Sequence, residues 1–193
     1  MRYFIISQPK AGTYLAANLL RNLSLIPTNI HFTQNDYYLY DPNDLGESRS
    51  NPKKFRIEGS LEDTVNLVAD DEFGVGHIHW NKKNSRILKP FKKIVIVRSL
   101  DGIIESYGRW IRNTGRKENL KGIINTANKV GEWIDKPDTF VLRFEQMVNK
   151  DLKTIDQLQK FLFNHIFVPS HEVITMSLMQ DSLTKSDIRY ATF

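Results

Sequence analysis

The chain has 193 residues, of which 40% are hydrophobic and 25% are charged. That length and balance predict one folded domain spanning residues 1–193 and exclude a disordered chain. The absence of cysteine excludes disulfides, zinc–thiolate sites and cysteine nucleophiles.

A formal net charge of +5 favours an anionic ligand (a nucleotide, a nucleic acid or an acidic glycan), although a basic surface without a specific partner stays open. Apolar runs are all shorter than the ~18 residues of a membrane span, so we expect a cytoplasmic protein.

Strand and helix patterns alternate along the chain. Residues 2–7 form a β-branched and aromatic run that predicts a buried strand, and a helical stripe of leucines follows, with Thr13 as the expected N-cap. Further strands are predicted at 73–78, 93–97 and 139–143. Apolar residues at helical spacing predict helices over 103–111, 120–133 and 152–162.

Two segments give weaker signals. Residues 58–70 are weakly helical, and residues 31–56 are rich in Pro, Gly, Asn, Asp and Ser, which predicts a long excursion with at most short structure. Elsewhere the alternation predicts an α/β fold, a three-layer αβα domain with a parallel sheet of four or five strands. Ligands bind such sheets beyond the carboxyl ends of the strands, which directs attention to residues 7–14 and 98–106.

The loop over residues 7–13 joins the first strand to the first helix. A helix N-terminus offers N–H donors and partial positive charge, Gly12 permits a close approach of the backbone, and Lys10 adds a full charge. These features describe an anion-binding loop, with an ordinary strand-to-helix turn as the alternative. It is not a Walker A loop, because that motif ends in Gly-Lys-Ser/Thr and here the lysine precedes the glycine.

The order Pro9-Lys10-Ala11-Gly12-Thr13 resembles the 5′-phosphosulfate loop of sulfotransferases that use 3′-phosphoadenosine 5′-phosphosulfate (PAPS). The usual family pattern is Pro-Lys-Ser-Gly-Thr-Thr-Trp, so this chain departs from it at Ala11 and after Thr13, where Tyr14 follows. The resemblance implies a P-loop-NTPase-like domain in which Lys10, the backbone N–H groups of residues 11–14 and the side chain of Thr13 hold the 5′-phosphate.

A second segment resembles the family's 3′-phosphate signature, which is a strand that ends in arginine with a serine eight positions later. The strand at 93–97 runs into Arg98, and Ser106 lies eight residues on. The resemblance implies that both side chains bind the 3′-phosphate and so select PAPS over ATP; a guanidinium suits this role because it can donate to two phosphate oxygens. The family's usual proline after the arginine is missing from Ser99-Leu100-Asp101.

Between these signatures the family places a catalytic histidine at a strand end, and His77 occupies that position, with Trp80 as the trailing aromatic residue. An imidazole suits hydroxyl activation because its ordinary pKa is near 6.5. His79 is a rival base or an acceptor contact, because residues two apart on a strand face the same side. Glu58 is the candidate if the base is a glutamate, and a purely structural His77 also stays open.

The segments nearer the C-terminus match the family's motifs less closely. The segment Val141-Leu142-Arg143-Phe144-Glu145 resembles a family segment whose tyrosine helps to hold adenine, which implies an adenine contact for Phe144, with core packing as the alternative. Relatives close the nucleotide site with a C-terminal Arg-Lys-Gly loop, and this chain has no glycine after Gly131. We expect Lys185 or Arg189 to take the place of that loop.

The resemblance implies sulfuryl transfer from PAPS to an acceptor hydroxyl, with an amine as second choice, and release of 3′-phosphoadenosine 5′-phosphate (PAP). His77 would take the acceptor proton, Lys10 would neutralise the leaving phosphate, and no metal would be required. The expected acceptor is a small molecule or a carbohydrate, not nucleic acid. Two alternatives stay open: a nucleotide kinase of the P-loop class, and a non-catalytic protein that binds nucleotide or RNA.

A run of basic residues before the strongest strand predicts a solvated face or an attractor for an acidic acceptor. It consists of Lys82, Lys83, Arg86, Lys89, Lys92 and Lys93.

Overall fold

A computed structural model describes residues 1–40 and 54–175 of the chain. Seven strands lie in these ranges: β1 (Arg2–Ser7), β2 (Ile26–Phe32), β3 (Asp36–Tyr40), β4 (Lys54–Glu58), β5 (Glu72–Gly76), β6 (Phe91–Val97) and β7 (Thr139–Arg143). The helices are α1 (Thr13–Asn22), α2 (Leu61–Thr64), α3 (Lys82–Ile87), α4 (Leu100–Thr114), α5 (Leu120–Gly131), α6 (Phe144–Val148), α7 (Leu152–Phe163) and α8 (Ser170–Thr175), with a 3₁₀ turn at Val65–Leu67. None of the helices in these ranges is long and apolar enough to cross a bilayer.

All seven strands belong to one sheet in the order β4-β3-β2-β5-β1-β6-β7. The five strands β2, β5, β1, β6 and β7 are parallel, which agrees with the predicted α/β sheet. At one edge, β3 pairs antiparallel with β2 and β4 pairs antiparallel with β3. The parallel part of the sheet has five strands, within the predicted four or five, and β3 and β4 extend it at one edge to a mixed sheet of seven. The segment 31–56, expected to be an excursion, supplies the end of β2, all of β3 and most of β4, and residues 41–53 lie outside the described ranges.

Helices cover both faces of the sheet, as the αβα prediction required. Alternate residues of β1 point to opposite faces, so Tyr3 and Ile5 pack with α1, α7 and α8, while Phe4 and Ile6 pack with side chains that include Val130 of α5. Each large side chain that is fully buried in this way contributes about 1.5–3 kcal/mol to stability. The two apolar layers bury both faces of β1, which lies between β5 and β6.

Two lysines of the predicted basic face are structural. Lys93 is 4% exposed, its ammonium donates to the carbonyl oxygen of Phe91 at 2.9 Å, and burial lowers its pKa. The ammonium of Lys92 donates to the carbonyl oxygens of Phe161 and Leu162 at 2.7 and 2.8 Å, at the C-terminal end of α7. These bonds satisfy carbonyl groups that have no partner within the helix. The prediction of a solvated basic face was wrong for these two residues.

Gly76, the last residue of β5, permits the close approach of β2. Phe32 pairs with Gly76 in the parallel ladder, and a Cβ atom at Gly76 would lie 2.5 Å from the carbonyl oxygen of Phe32. Backbone atoms in a central ladder cannot move aside without loss of hydrogen bonds, so this position accepts glycine only. The consequence for the site is that the residues after β2 and β5 lie close together.

We predict that Gly76→Ala lowers the free energy of unfolding by about 1–3 kcal/mol, the usual cost of overpacking. The matched control is Gly108→Ala in α4, where the nearest atom to a new Cβ is Nη1 of Arg112 at 3.6 Å. That substitution should raise stability by up to about 1 kcal/mol, because alanine has the higher helix propensity. Urea denaturation measures both variants, and equal stability changes would contradict the close approach.

Candidate active site

The loop between β1 and α1 has a sharply turned backbone. Lys10 and Gly12 both have positive φ angles, 63° and 87°, and the N–H of Ala11 donates to the carbonyl oxygen of Gln8 at 3.2 Å. A Cβ atom on Gly12 would lie 2.6 Å from the Phe144 ring, so glycine is needed for both its conformation and its space. The turn leads directly into α1, whose first residue is Thr13.

Gly12, not Thr13, is the N-cap of α1, and no side chain caps the helix. The prediction for Thr13 was wrong because its buried hydroxyl donates instead to Oγ of Ser7 at 2.8 Å, and Ser7 in turn donates to the carbonyl oxygen of Gln8. Thr13 is thus the first residue inside the helix. The uncapped first turn has N–H donors without intrahelical acceptors, which is the arrangement that binds phosphate.

Gln8 connects this loop to two neighbouring elements. Its N–H donates to the carbonyl oxygen of Ile96 in β6, and its Nε2 donates to the carbonyl oxygen of Ala127 in α5. Its Oε1 accepts from the N–H of Arg98 at 2.9 Å. Sequence reasoning did not identify Gln8, because all three of its partners are distant in the chain.

The structure brings Arg98 against the same loop. Nη1 of Arg98 donates to the carbonyl oxygen of Lys10 at 3.0 Å, and the guanidinium carbon lies 4.1 Å from the ring centroid of Phe144. Burial lowers the pKa of Arg98 to about 10, with Glu145 opposing that effect and Arg109 adding to it. Arg98 is therefore still a cation at neutral pH, and its partial burial makes an anionic ligand a favourable partner.

Ser106 and Phe144 lie on the two helices that border Arg98. Ser106 is half-buried in α4, and Phe144 begins α6 directly after β7, with 7% of its surface exposed. Phe144 packs between Gly12 and Arg98, so it contributes to the shape of the loop as well as to the core.

A cluster of positive charge surrounds Trp110 of α4, one turn after Ser106. The Lys10 ammonium lies 5.0 Å from the indole centroid, and the Arg116 guanidinium lies 5.1 Å from it. Arg109 is paired with Glu105 at 2.8 Å and has only 14% of its side chain exposed. Sequence reasoning identified Lys10 but missed Trp110, Arg109 and Arg116, because only the fold brings Trp110 beside Lys10.

His77 follows the last residue of β5 and is half-buried. Its Nδ1 lies 2.6 Å from the carbonyl oxygen of Ser7, and because a carbonyl can only accept, Nδ1 carries the proton. Nε2 is then the basic nitrogen of the ring. The ring of His31, a residue that the sequence did not single out, lies 4.9 Å from the ring of His77 between centroids.

The two rival bases are His79, which follows β5, and Glu58, which ends β4. β5 ends at Gly76, so His77 and His79 both lie beyond the strand and strand alternation no longer predicts which side each faces. Burial lowers the pKa of His79, with a further lowering by Lys129 and an opposing effect from Glu132. Glu58 is exposed at the end of the edge strand β4, and β3, β2 and β5 lie between it and β1.

The donor set at the carboxyl ends of β1 and β6 fits a phosphorylated nucleotide: the N-terminus of α1 and Lys10 belong to one loop, and the guanidinium of Arg98 contacts that loop. The predicted substitutes for a closing loop, Lys185 and Arg189, lie outside the described residues.

No protein-family model matches the chain, and no curated protein matches its sequence. Among solved structures, mouse sulfotransferase SULT7A1 complexed with PAP superposes with a TM-score of 0.53 at 14% identity, covering 96% of this chain and 66% of the mouse chain. The sulfotransferase domain from the curacin biosynthetic pathway also gives a TM-score of 0.53, at 16% identity, covering 94% of this chain and 81% of that domain. The chain thus spans just under two thirds of the mouse enzyme and has the αβα fold of sulfotransferases.

Proposed function

We propose that this protein is a PAPS-dependent sulfotransferase that acts on a hydroxyl group, or as second choice an amine, of a small-molecule or carbohydrate acceptor. The observation that carries the proposal is the convergence of the α1 N-terminus, Lys10 and Arg98 on one loop, in the fold that the chain shares with two sulfotransferases. The mouse enzyme was solved with PAP, which supports a nucleotide of this class for the present chain.

In this proposal the loop binds the 5′-phosphate end of the nucleotide. The N–H groups of Gly12, Thr13 and Tyr14 donate to phosphate oxygens, and the helix dipole adds to their effect. The N–H of Ala11, which donates to the carbonyl oxygen of Gln8 in this structure, joins them only if that bond opens. Arg98 and Ser106 bind the 3′-phosphate, while Phe144 offers its ring as an apolar surface for the base. A guanidinium has five N–H donors, so Arg98 can bond the Lys10 carbonyl and phosphate oxygens at the same time.

The nucleotide supplies a sulfuryl group on a phosphate leaving group. Lys10 stabilises the negative charge that grows on that leaving phosphate, which makes it catalytic as well as ligand-binding. His77 accepts the acceptor proton at Nε2, since its Nδ1 proton is engaged by the Ser7 carbonyl. Arg116 adds positive charge beside Trp110, which favours a polyanionic nucleotide at this end of the sheet.

A transfer assay with ³⁵S-labelled PAPS and mixed acceptors tests the proposed activity, and Lys10→Ala tests the loop. We expect Lys10→Ala to lose transfer and to weaken PAP binding by about 1.5–3 kcal/mol, the worth of a charge-assisted hydrogen bond. Lys117→Ala removes the same charge from an exposed position and should behave as wild type. Near-normal transfer in Lys10→Ala would exclude the assigned role.

We predict that Arg98→Ala and Ser106→Ala mainly raise the KM for PAPS and reduce discrimination against adenosine 5′-phosphosulfate, which lacks the 3′-phosphate. Ser106→Ala should raise the KM for PAPS about 2- to 10-fold. Arg98→Ala should raise it more, because the bond from the guanidinium is charge-assisted. Arg112→Ala, on the exposed side of α4, is the control. If the variants prefer PAPS as strongly as wild type, the 3′-phosphate is bound elsewhere.

We predict that His77→Ala lowers kcat by on the order of 10²–10⁴, the usual contribution of a general base, and leaves PAP affinity within about twofold. His79→Ala is the matched control and should lose much less activity, because burial and Lys129 lower the pKa of His79 and so weaken it as a base. Steady-state kinetics and PAP titrations on both variants measure the difference. Equal losses in the two variants would show that neither histidine is the specific base.

A further inference from the structure

The imidazole of His31 is buried against the imidazole of His77. His31 is 4% exposed, and it pairs with Val75 in the parallel ladder, two residues before His77. The close approach of Phe32 to Gly76 brings the two rings to 4.9 Å between centroids, with an edge-to-face angle of 68°. A histidine in the sheet core at this point is unexpected on composition, because an apolar residue would fill the space with no polar atoms to satisfy.

Tyr14 supplies the polar partner of His31. The hydroxyl oxygen of Tyr14 lies 3.3 Å from Nδ1 of His31, within hydrogen-bond distance. Tyr14 is the second residue of α1, so it stands at the start of the helix that receives the anion-binding loop. The hydrogen bond therefore connects that loop to the buried ring of His31.

These contacts form a closed path through the candidate site. Ser7, at the start of the loop, accepts from Nδ1 of His77; Tyr14, at its end, bonds to His31; and the edge-to-face contact of His31 with His77 completes the path. Each additional contact narrows the rotation of an imidazole about its side-chain bonds, so the contact with His31 adds to the restraint that the Ser7 carbonyl places on His77. A phenyl group in place of His31 would keep the bulk of the ring and lose the hydrogen bond to Tyr14.

We propose that Tyr14 and His31 are positioning residues for His77. The hydrogen bond between Tyr14 and His31 orients the His31 ring, and the His31 ring packs against His77 so that Nδ1 stays on the Ser7 carbonyl and Nε2 keeps the orientation of the base. The inference deepens the proposed function, since it assumes that His77 is the base of the transfer reaction. Neither residue touches the reacting atoms in this proposal.

The test uses Tyr14→Phe, His31→Phe and the double variant in the full chain. Tyr14→Phe keeps the backbone N–H and removes the hydroxyl only, so it guards against a folding defect in His31→Phe. The exposed His165, after the end of α7, gives the control variant His165→Phe. Two-bond ¹H–¹⁵N spectra of the imidazoles, recorded without nucleotide, report the tautomer of His77, and transfer kinetics with PAPS report kcat and KM.

In wild type and the control we expect one set of His77 signals, with the proton on Nδ1. Each single variant should show a second tautomer or broadened His77 signals and a kcat reduced about 2- to 10-fold, with the KM for PAPS within about twofold. The double variant should lose no more than the worse single variant, because both substitutions remove the same bond.

Unchanged His77 spectra in both single variants would overturn the proposal, and losses that multiply in the double variant would overturn the link between Tyr14 and His31. Failure of the proposed function has a different signature: wild type would neither bind PAP nor transfer the sulfuryl group. The spectra decide the positioning claim even in that case, because they are recorded without nucleotide.

Discussion

The contact of Arg98 with the β1–α1 loop is the interaction on which the rest of the candidate site depends. One nitrogen of its guanidinium donates to the carbonyl oxygen of Lys10, and its plane lies over Phe144, the ring that also fills the space beside Gly12. The backbone N–H of Arg98 is in turn fixed by Gln8. The residue that the resemblance assigns to the 3′-phosphate thus also shapes the loop assigned to the 5′-phosphate.

That arrangement has an electrostatic consequence. Burial disfavours the charged form of Arg98 and lowers its pKa to about 10, and Arg109 adds to this while Glu145 opposes it. Lys10 and Arg116 lie over the same indole, where the aromatic face partly compensates two nearby cations. A site built this way gains most from a ligand with several negative charges, because each phosphate relieves both desolvation and mutual repulsion among the cations.

The sequence was informative where a signal is local. Continuous β-branched runs predicted β1 and β6, and leucine spacing predicted α1 and α7, since burial on both faces or on one stripe leaves a direct pattern in the residues. β2 was not predicted because Pro27, Thr28 and Asn29 interrupt its pattern, and it forms because β5 and β3 pair with it. Tertiary pairing there overrides a weak local preference.

The same distinction between local and distant signals applies to the residues of the candidate site. Motif spacing identified Lys10, Arg98 and His77, and the structure places the first two in contact and the third on Ser7 at the start of the loop. Gln8, His31 and Arg116 could not be found in this way, because their roles come from partners that only the fold brings near. The N-cap was misassigned for a related reason: the hydroxyl of Thr13 has a partner in Ser7 that propensity cannot reveal.

The central claim is that the site at the carboxyl ends of β1 and β6 binds a nucleotide with phosphates at both the 5′ and the 3′ positions. Isothermal titration calorimetry of the wild-type protein with PAP, AMP and ATP tests it most directly. We predict that PAP binds at least about tenfold more tightly than AMP or ATP, because the additional phosphate gains charge-assisted hydrogen bonds worth about 1.5–3 kcal/mol each. Binding of AMP or ATP as tight as that of PAP, or no binding of PAP, would contradict the account.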